Sequence, residues 1–276
     1  MVKNIFSEIT RPYIIAEAGI NHNGNLKTAY NLVDVAKMNG ADAIKFQTYD
    51  TKKRIGKKNK KVFKILEKCE LSFNDFDKIN NYCKLKKITF FSTPFDEDSV
   101  DFLESINVPF YKIASFDISN YQLIKKILST KKPTIASTGM ASFREINQIH
   151  KMFYKKGIDL AILHCVSSYP NFEKSSYLSN IPFLKKKFKR SIGISDHTNE
   201  IKIPIYGVLL GAKIIEKHIK INQSHKCVDA AVSITGKQLK TLREEVNKIN
   251  LILNKPKFGI RPEEINARIF KRKKIY

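Results

Sequence analysis

The chain has 276 residues, enough for one large domain with a full core, and its length alone does not require two. A hydrophobic fraction of 42%, with 11 Gly and 9 Pro, is ordinary for a soluble globular protein, and no apolar run nears the roughly 20 residues that cross a bilayer. Fifty Lys+Arg against 26 Asp+Glu leave a net charge of +24, which speaks to solubility and weak association rather than to a role.

The first residues, MVKNIFSEIT, lack the apolar stretch and cleavage site of a signal peptide. Residues 1–12 read as an N-terminal extension that forms a small lid under the fold. The first strand-length apolar run, YIIAEAG from Tyr13, leads through Asn21, His22 and Asn23 into an amphipathic stretch that stops at Gly40, where a C-cap belongs. DAIKFQT from Asp42 is the second run. Tyr49 to Leu71 reads as a long loop over the top face. Ser72 and Asp75 have capping-box spacing and open a helix.

ITFFSTP from Ile88, FYKIAS from Phe110 and PTIAST from Pro133 continue the series of runs. A helix over Ser142–Lys156 ends at Gly157, and LAILHCV from Leu160, SIGISDH from Ser191 and KIIEKHI from Lys213 follow. Thr235 and Gln238 repeat the capping-box spacing ahead of the last amphipathic stretch, Gln238–Leu253. Near-continuous apolar strands alternating with helices mean a parallel sheet covered on both faces. Eight such repeats predict a (β/α)8 TIM barrel as a single domain over 1–276, and no G-x-G-x-x-G follows a strand to argue for a Rossmann fold.

In a barrel of this kind the catalytic residues gather at the C-terminal ends of the strands. Those ends carry Glu17, Lys45 with Gln47, Thr93, Lys112, Ser137, His164, Ser195 with His197, and Glu216 with His218. Residues two apart on a strand share a face. Lone Ser or Thr residues there usually cap turns, and His164 reads as a hydrogen-bonded core histidine. Lys45 and Lys112 are different, because burying an unpaired ammonium costs several kcal/mol. Two of them facing one hollow repel unless an anion lies between them; Glu17 compensates one, and a bound phosphate and carboxylate would compensate both. His197 and His218, on the last two strands, form a pair able to hold a divalent ion, and Asp229 in the following loop is within reach of the same place.

The basic charge has two readings, a nucleic-acid or anion binder and a lysine-rich solvated surface. Its clusters, Thr51–Lys61, Lys185–Arg190 and Lys271–Lys274, lack the aromatic interleaving that stacks bases, which favours the second, with no nucleic acid or membrane as partner. Cys69, Cys83, Cys165 and Cys227 make no C-x-x-C pair, as expected of a reduced, cytoplasmic protein.

Taken in order, AEAGINHNG, IKFQT, FFSTPF, YKIAS, STGM, HCVSSYP, GISDHT and EKH closely resemble the catalytic barrel of the sialic acid synthase family, over about Pro12 to Tyr276. The resemblance implies condensation of phosphoenolpyruvate with an N-acylated amino sugar of the N-acetylmannosamine type, giving a nonulosonic acid and phosphate. It implies Mn²⁺ or Mg²⁺ on His197 and His218, and phosphoenolpyruvate clamped by Lys45, Thr93, Lys112, Ser115, Ser137 and Ser195 with Ser167 nearby. Glu17 would stabilise the cationic intermediate and orient water, and Gln47, Tyr169 and Asp229 would hold the sugar's hydroxyls. A homodimer is also implied.

Two features depart from the family pattern. Ser167 stands where some members have an amide. Full-length members continue into a small C-terminal domain that closes the partner's sugar pocket, whereas residues 255–276 correspond to the linker that leads to it. The alternative reading is therefore a non-catalytic, phosphoenolpyruvate-binding or partner-dependent barrel.

Overall fold

The computed structural model describes residues 5–55, 59–253 and 255–272. The first four residues, the middle of the Thr51–Lys61 basic run and the end of the Lys271–Lys274 cluster lie outside them. Eight strands run in parallel: β1 (Tyr13–Gly19), β2 (Ala43–Thr48), β3 (Thr89–Pro94), β4 (Tyr111–Ile113), β5 (Thr134–Ser137), β6 (Leu160–Cys165), β7 (Ile192–Asp196) and β8 (Ile214–His218). Their order is β3-β2-β1-β8-β7-β6-β5-β4, and β3 lies against β4 to close the ring. The expected (β/α)8 barrel is the fold.

Helices wrap the ring: α1 (Leu26–Met38), α2 (Thr51–Ile55), α3 (Lys60–Cys69), α4 (Phe73–Lys86), α5 (Glu97–Ser105), α6 (Tyr121–Ser129), α7 (Phe143–Lys155), α8 (Asn180–Phe188), α9 (Lys202–Leu209) and α10 (Gly236–Ile252). Among the described residues no helix is long and apolar enough to cross a membrane. The segment expected as a loop over Tyr49–Leu71 in fact carries α2 and α3. Leu66 and Cys69 of α3 join Ile20 and Tyr49 in a small core of their own, with Val62 packed against it. Eight lysines and an arginine across Thr51–Lys68 masked that short apolar face.

The two expected capping boxes differ. Thr235 and Gln238 complete one: Gln238 N donates to Thr235 Oγ1 at 3.5 Å and Thr235 N to Gln238 Oε1 at 2.9 Å. Ser72 accepts from Asp75 N at 3.1 Å, but the Asp75 carboxylate takes the Ser72 hydroxyl at 2.7 Å instead of reaching back to the backbone. Aspartate is one methylene shorter than the glutamate or glutamine the box calls for.

Alternation along the strands decides what the barrel encloses. Ile15, Ala43, Phe91, Phe110, Ile135, Ala161, Leu163 and Ile214 form one apolar cluster inside the ring. Phe6 plugs the same cluster from below, its N–H on Asp159 Oδ2 at 3.0 Å and its carbonyl accepting from Ser191 Oγ at 2.5 Å. The opposite strand faces pack on the helices through Ile14, Ile44, Phe46, Phe90, Tyr111 and Ile215.

The inward position on β7 is Gly193, where a Cβ would lie 2.4 Å from Ile214 O and 2.5 Å from Leu163 Cδ2. Gly193→Ala is therefore expected to lower stability by about 1–3 kcal/mol through overpacking. Urea unfolding checks this; an unchanged midpoint would contradict the packing.

Candidate active site

Continuing each inward series one step up the barrel replaces apolar side chains by polar ones. Position 15 leads to Glu17, 43 to Lys45 and Gln47, 91 to Thr93, 110 to Lys112, 135 to Ser137 and 214 to Glu216 and His218. These residues, with Ser115, Ser167, Tyr169, Ser195 and His197, line one cavity at the C-terminal mouth. Asp229 lies just behind that lining, its Oδ2 3.6 Å from His218 Nδ1.

His164 departs from the expected polar floor. It points out of the ring, buried, with Nε2 on Ser176 O at 2.7 Å, which is the role of a hydrogen-bonded core histidine. Because Ala161 and Leu163 face inward, the residue that β6 contributes to the cavity is Cys165.

The lysines also differ from expectation. Lys45 Nζ lies 2.9 Å from Glu17 Oε2 and donates to Thr93 Oγ1 at 3.0 Å. Lys112 Nζ donates to Ser137 Oγ at 2.7 Å. Glu216 sits between the two, 3.7 Å from each ammonium, and takes the Ser195 hydroxyl at 2.9 Å. All four charged groups are at most 6% exposed. The anion demanded by two buried cations is thus the protein's own Glu216. The lysines do not by themselves require an anionic guest.

Burial penalises ionisation of Glu216, but Lys112 and Lys45 outweigh it and hold its carboxyl below the usual range. Burial raises Glu17 from 4.5 to about 7, against the pull of Lys45 and with a further push from Glu216. Lys112 is lowered by burial, with Glu216 partly restoring it. Lys45 is raised, because Glu17 and Glu216 together overcome the desolvation that opposes its charge. One carboxylate is therefore kept ionised while the other titrates near neutrality, an arrangement suited to proton transfer.

The histidine pair stands at the rim with ring centroids 5.6 Å apart. His197 Nδ1 is 2.8 Å from Val166 O, which only accepts, so Nδ1 carries the proton and Nε2 presents its lone pair to Tyr169 OH at 2.7 Å. His218 Nδ1 is buried without a hydrogen bond, and burial, with His197 and the lysines, keeps this ring well below its usual pKa. A neutral imidazole with an unused nitrogen, a second with a fixed tautomer and a nearby carboxylate are donors that suit a divalent cation. Among the described residues no three His, Cys, Asp or Glu side chains are gathered closely enough to enclose an ion unaided. The set therefore fits an open site completed by water or substrate oxygen.

Loops fix the rim. Asn21 Nδ2 donates to Ile219 O at 2.8 Å and Ser233 Oγ at 2.9 Å, while its Oδ1 accepts from Asp229 N at 3.0 Å. Asn23 Nδ2 donates to Lys226 O at 2.8 Å. The two amides of AGINHNG thus tie the loop after β1 to the loop carrying Asp229. Behind the histidines, Lys217 pairs with Asp196 at 2.6 Å, fully buried, and locks the ends of β7 and β8. Gly139 of STGM donates to Ser115 Oγ at 3.0 Å, and a Cβ there would sit 2.1 Å from Ser167 Oγ.

The basic run contributes one member to this site. Arg54 lines the cavity and donates to Gln47 Oε1 at 3.0 Å, and Gln47 Nε2 donates to Glu17 Oε1 at 3.3 Å. A lone arginine among solvated lysines gives no signal in the sequence beyond the planar five-donor fork it carries.

A parallel barrel whose mouth gathers buried ammonium groups, carboxylates and imidazoles defines an enzyme of the (β/α)8 class. The NeuB family model matches residues 32–257, and the chain belongs to that family, the sialic acid synthases. It is similar to the uncharacterized protein MJ1065 of Methanocaldococcus jannaschii, 42% identical over 87% of this chain and 70% of the other. It is likewise similar to N,N'-diacetyllegionaminic acid synthase of Campylobacter jejuni, 36% identical over 86% of this chain and 75% of that protein. Among solved structures, the N-acetylneuraminic acid synthetase of Leptospira borgpetersenii superposes with a TM-score of 0.90 at 37% identity, covering 95% of this chain and 92% of that one.

Two outcomes test the electrostatics. Glu216→Gln removes the shared counter-charge and is expected to cost roughly 3 kcal/mol in urea unfolding; no loss would mean that Glu216 does not hold the lysines. For Glu17 the folded pKa lies above the unfolded one, so its favourable contribution is complete below about 4.5 and is lost as pH rises through about 7. The stability of Glu17→Gln relative to wild type should therefore rise between those pH values. A flat difference would place Glu17 near its ordinary pKa.

Proposed function

We propose that the protein condenses phosphoenolpyruvate with an N-acylated amino sugar of the N-acetylmannosamine type, releasing phosphate and a nonulosonic acid. The observation that carries this reading is one cavity holding two lysines, a carboxylate that titrates near neutrality and a pair of metal-competent imidazoles. Family membership gives the reaction class.

Lys45 and Lys112, with Thr93, Ser115, Ser137 and Ser195, supply clustered donors for the phosphate and carboxylate of phosphoenolpyruvate. Because Glu17 and Glu216 already neutralise the lysines, the arriving anion is accommodated by protonation of Glu17, whose pKa leaves it ready to take a proton. His197 and His218, with Asp229 at hand, would hold Mn²⁺ or Mg²⁺, which as a Lewis acid polarises the acceptor's aldehyde.

Gln47, Tyr169 and Asp229 hold acceptor hydroxyls from the rim. C3 of the enol attacks the aldehyde carbon, and the carbon–carbon bond forms as positive charge appears at C2. The proton that Glu17 took up passes to the aldehyde oxygen as this bond forms, so Glu17 faces the charge at C2 as a carboxylate and then accepts the proton of the water that adds there. The tetrahedral adduct then expels phosphate with cleavage of the C2–O bond. Family likeness also supports a homodimer.

The test is phosphate release from phosphoenolpyruvate with Mn²⁺ and a panel of N-acyl amino sugars. Lys112→Ala and His218→Ala are each expected to lower kcat/KM by about 10²–10³-fold. Wild-type rates in either variant, or no release with any sugar, would overturn the reading.

A further inference from the structure

Arg54 lies near the end of α2, beside two lysines that behave as the solvated run predicts. Lys52 and Lys53 are exposed, and Lys53 is spent on Asp98. Arg54 turns inward and is half-buried, its guanidinium carbon 3.6 Å from the ring centroid of Phe95 and 4.6 Å from that of Tyr49. Both rings are themselves held. Tyr49 OH donates to Leu66 O of α3 at 3.0 Å, and Phe95 N donates to Thr48 O at the end of β2 at 3.1 Å. Stacking on anchored rings fixes the plane of the guanidinium and leaves its edge for hydrogen bonding.

A guanidinium has donors and no acceptor. Its hydrogen-bond partner among the described residues is Gln47, whose Oε1 accepts from Arg54 Nη1 at 3.0 Å. A primary amide has one accepting end and one donating end, so a partner that can only donate decides which way the amide faces. With Oε1 turned to Arg54, Nε2 is turned into the cavity, where it lies 3.3 Å from Glu17 Oε1. Glu17 Oε2 lies 2.9 Å from Lys45 Nζ. Each oxygen of the carboxylate therefore meets a donor, and the donor on Oε1 owes its orientation to Arg54. Turned over, the amide would set Oε1 against Glu17 Oε1, lone pair to lone pair, and that grip would be lost.

We propose that Arg54 is a positioning residue for the condensation: it fixes the Gln47 amide so that N–H, and not C=O, faces the Glu17 carboxylate. This inference rests on the condensation reading above, in which that carboxylate faces the charge at C2, and adds a residue that acts through Gln47. Misplacing a reacting group by about 1 Å can cost about 10²-fold in rate, so one hydrogen bond to the carboxylate matters more to turnover than to stability. Gln47 keeps a second N–H and a second lone pair for an acceptor hydroxyl, so this role is compatible with its hold on the sugar.

The experiment is a double-mutant cycle on phosphate release at saturating acceptor sugar, in wild type, Arg54→Leu, Gln47→Leu and the double variant, with Arg54→Lys beside them. Arg54→Leu is expected to lower kcat about 10- to 100-fold while the KM for phosphoenolpyruvate stays within about twofold. Lysine also only donates, so Arg54→Lys should recover part of the loss. In the Gln47→Leu background the same Arg54→Leu change should cost less than about twofold, because the amide it acts on is gone. A merely structural role in seating α2 would cost the same in both backgrounds. That equal loss, a loss as large in Arg54→Lys, a raised KM for phosphoenolpyruvate with kcat kept, or no loss at all would overturn the inference. If wild type releases no phosphate with any sugar, the condensation reading fails, and proton–nitrogen correlation spectra decide the amide's orientation separately. The Gln47 side-chain amide signal, identified by its loss in Gln47→Leu, should move on Glu17→Ala in the otherwise wild-type protein and stay in place in the Arg54→Leu background. A signal indifferent to Glu17→Ala in both, or moved equally in both, would overturn the inference.

Discussion

Two ammonium groups inside a barrel are tolerable because Glu216 stands 3.7 Å from each of them and Glu17 lies 2.9 Å from Lys45. Everything else at the mouth is arranged around that constraint. Thr93 and Ser137 satisfy the remaining lysine protons, Ser195 orients the shared carboxylate, and Glu17 takes the outer side of Lys45. With both lysines already paired, the second carboxylate is forced towards neutrality by burial, and the site gains a group that exchanges protons near pH 7. Charge balance and acid–base competence have a single origin.

That balance depends on register. The ladders pair Glu17 with Lys45 across β1 and β2 and Ser195 with Glu216 across β7 and β8. A slip of one residue in any of these strands would turn a charge out among the helices and an apolar side chain into the cavity. The apolar plug below, with Phe6 seated among Ile15, Phe91 and Phe110 and Gly193 admitting Leu163, fixes the register from the bottom. The buried Asp196–Lys217 pair fixes it at the top.

Much of this was legible in the chain order of residues. Period-two alternation put Lys45, Lys112, Ser195 and Glu216 on one face, and apolar stems alternating with helices defined the barrel. Glu216 was visible at its strand end, but pairing it with both lysines requires knowing how far across the ring each side chain reaches. His164 and Cys165 are neighbours in a wholly buried strand, where both faces are apolar and composition does not reveal which residue turns inward. The short helices α2 and α3 were hidden because lysine dominates their exposed faces. Arg54 went with them, since its role depends on Phe95 and Tyr49, which come from other parts of the chain.

The central claim is that the lysines are neutralised from within, so an incoming anion must bring a proton to Glu17. Calorimetry of phosphoenolpyruvate binding near pH 7, in two buffers of different ionisation enthalpy, measures this directly. The account predicts net proton uptake on binding that disappears in Glu17→Gln. Binding without proton exchange, or uptake that persists in that variant, would contradict it.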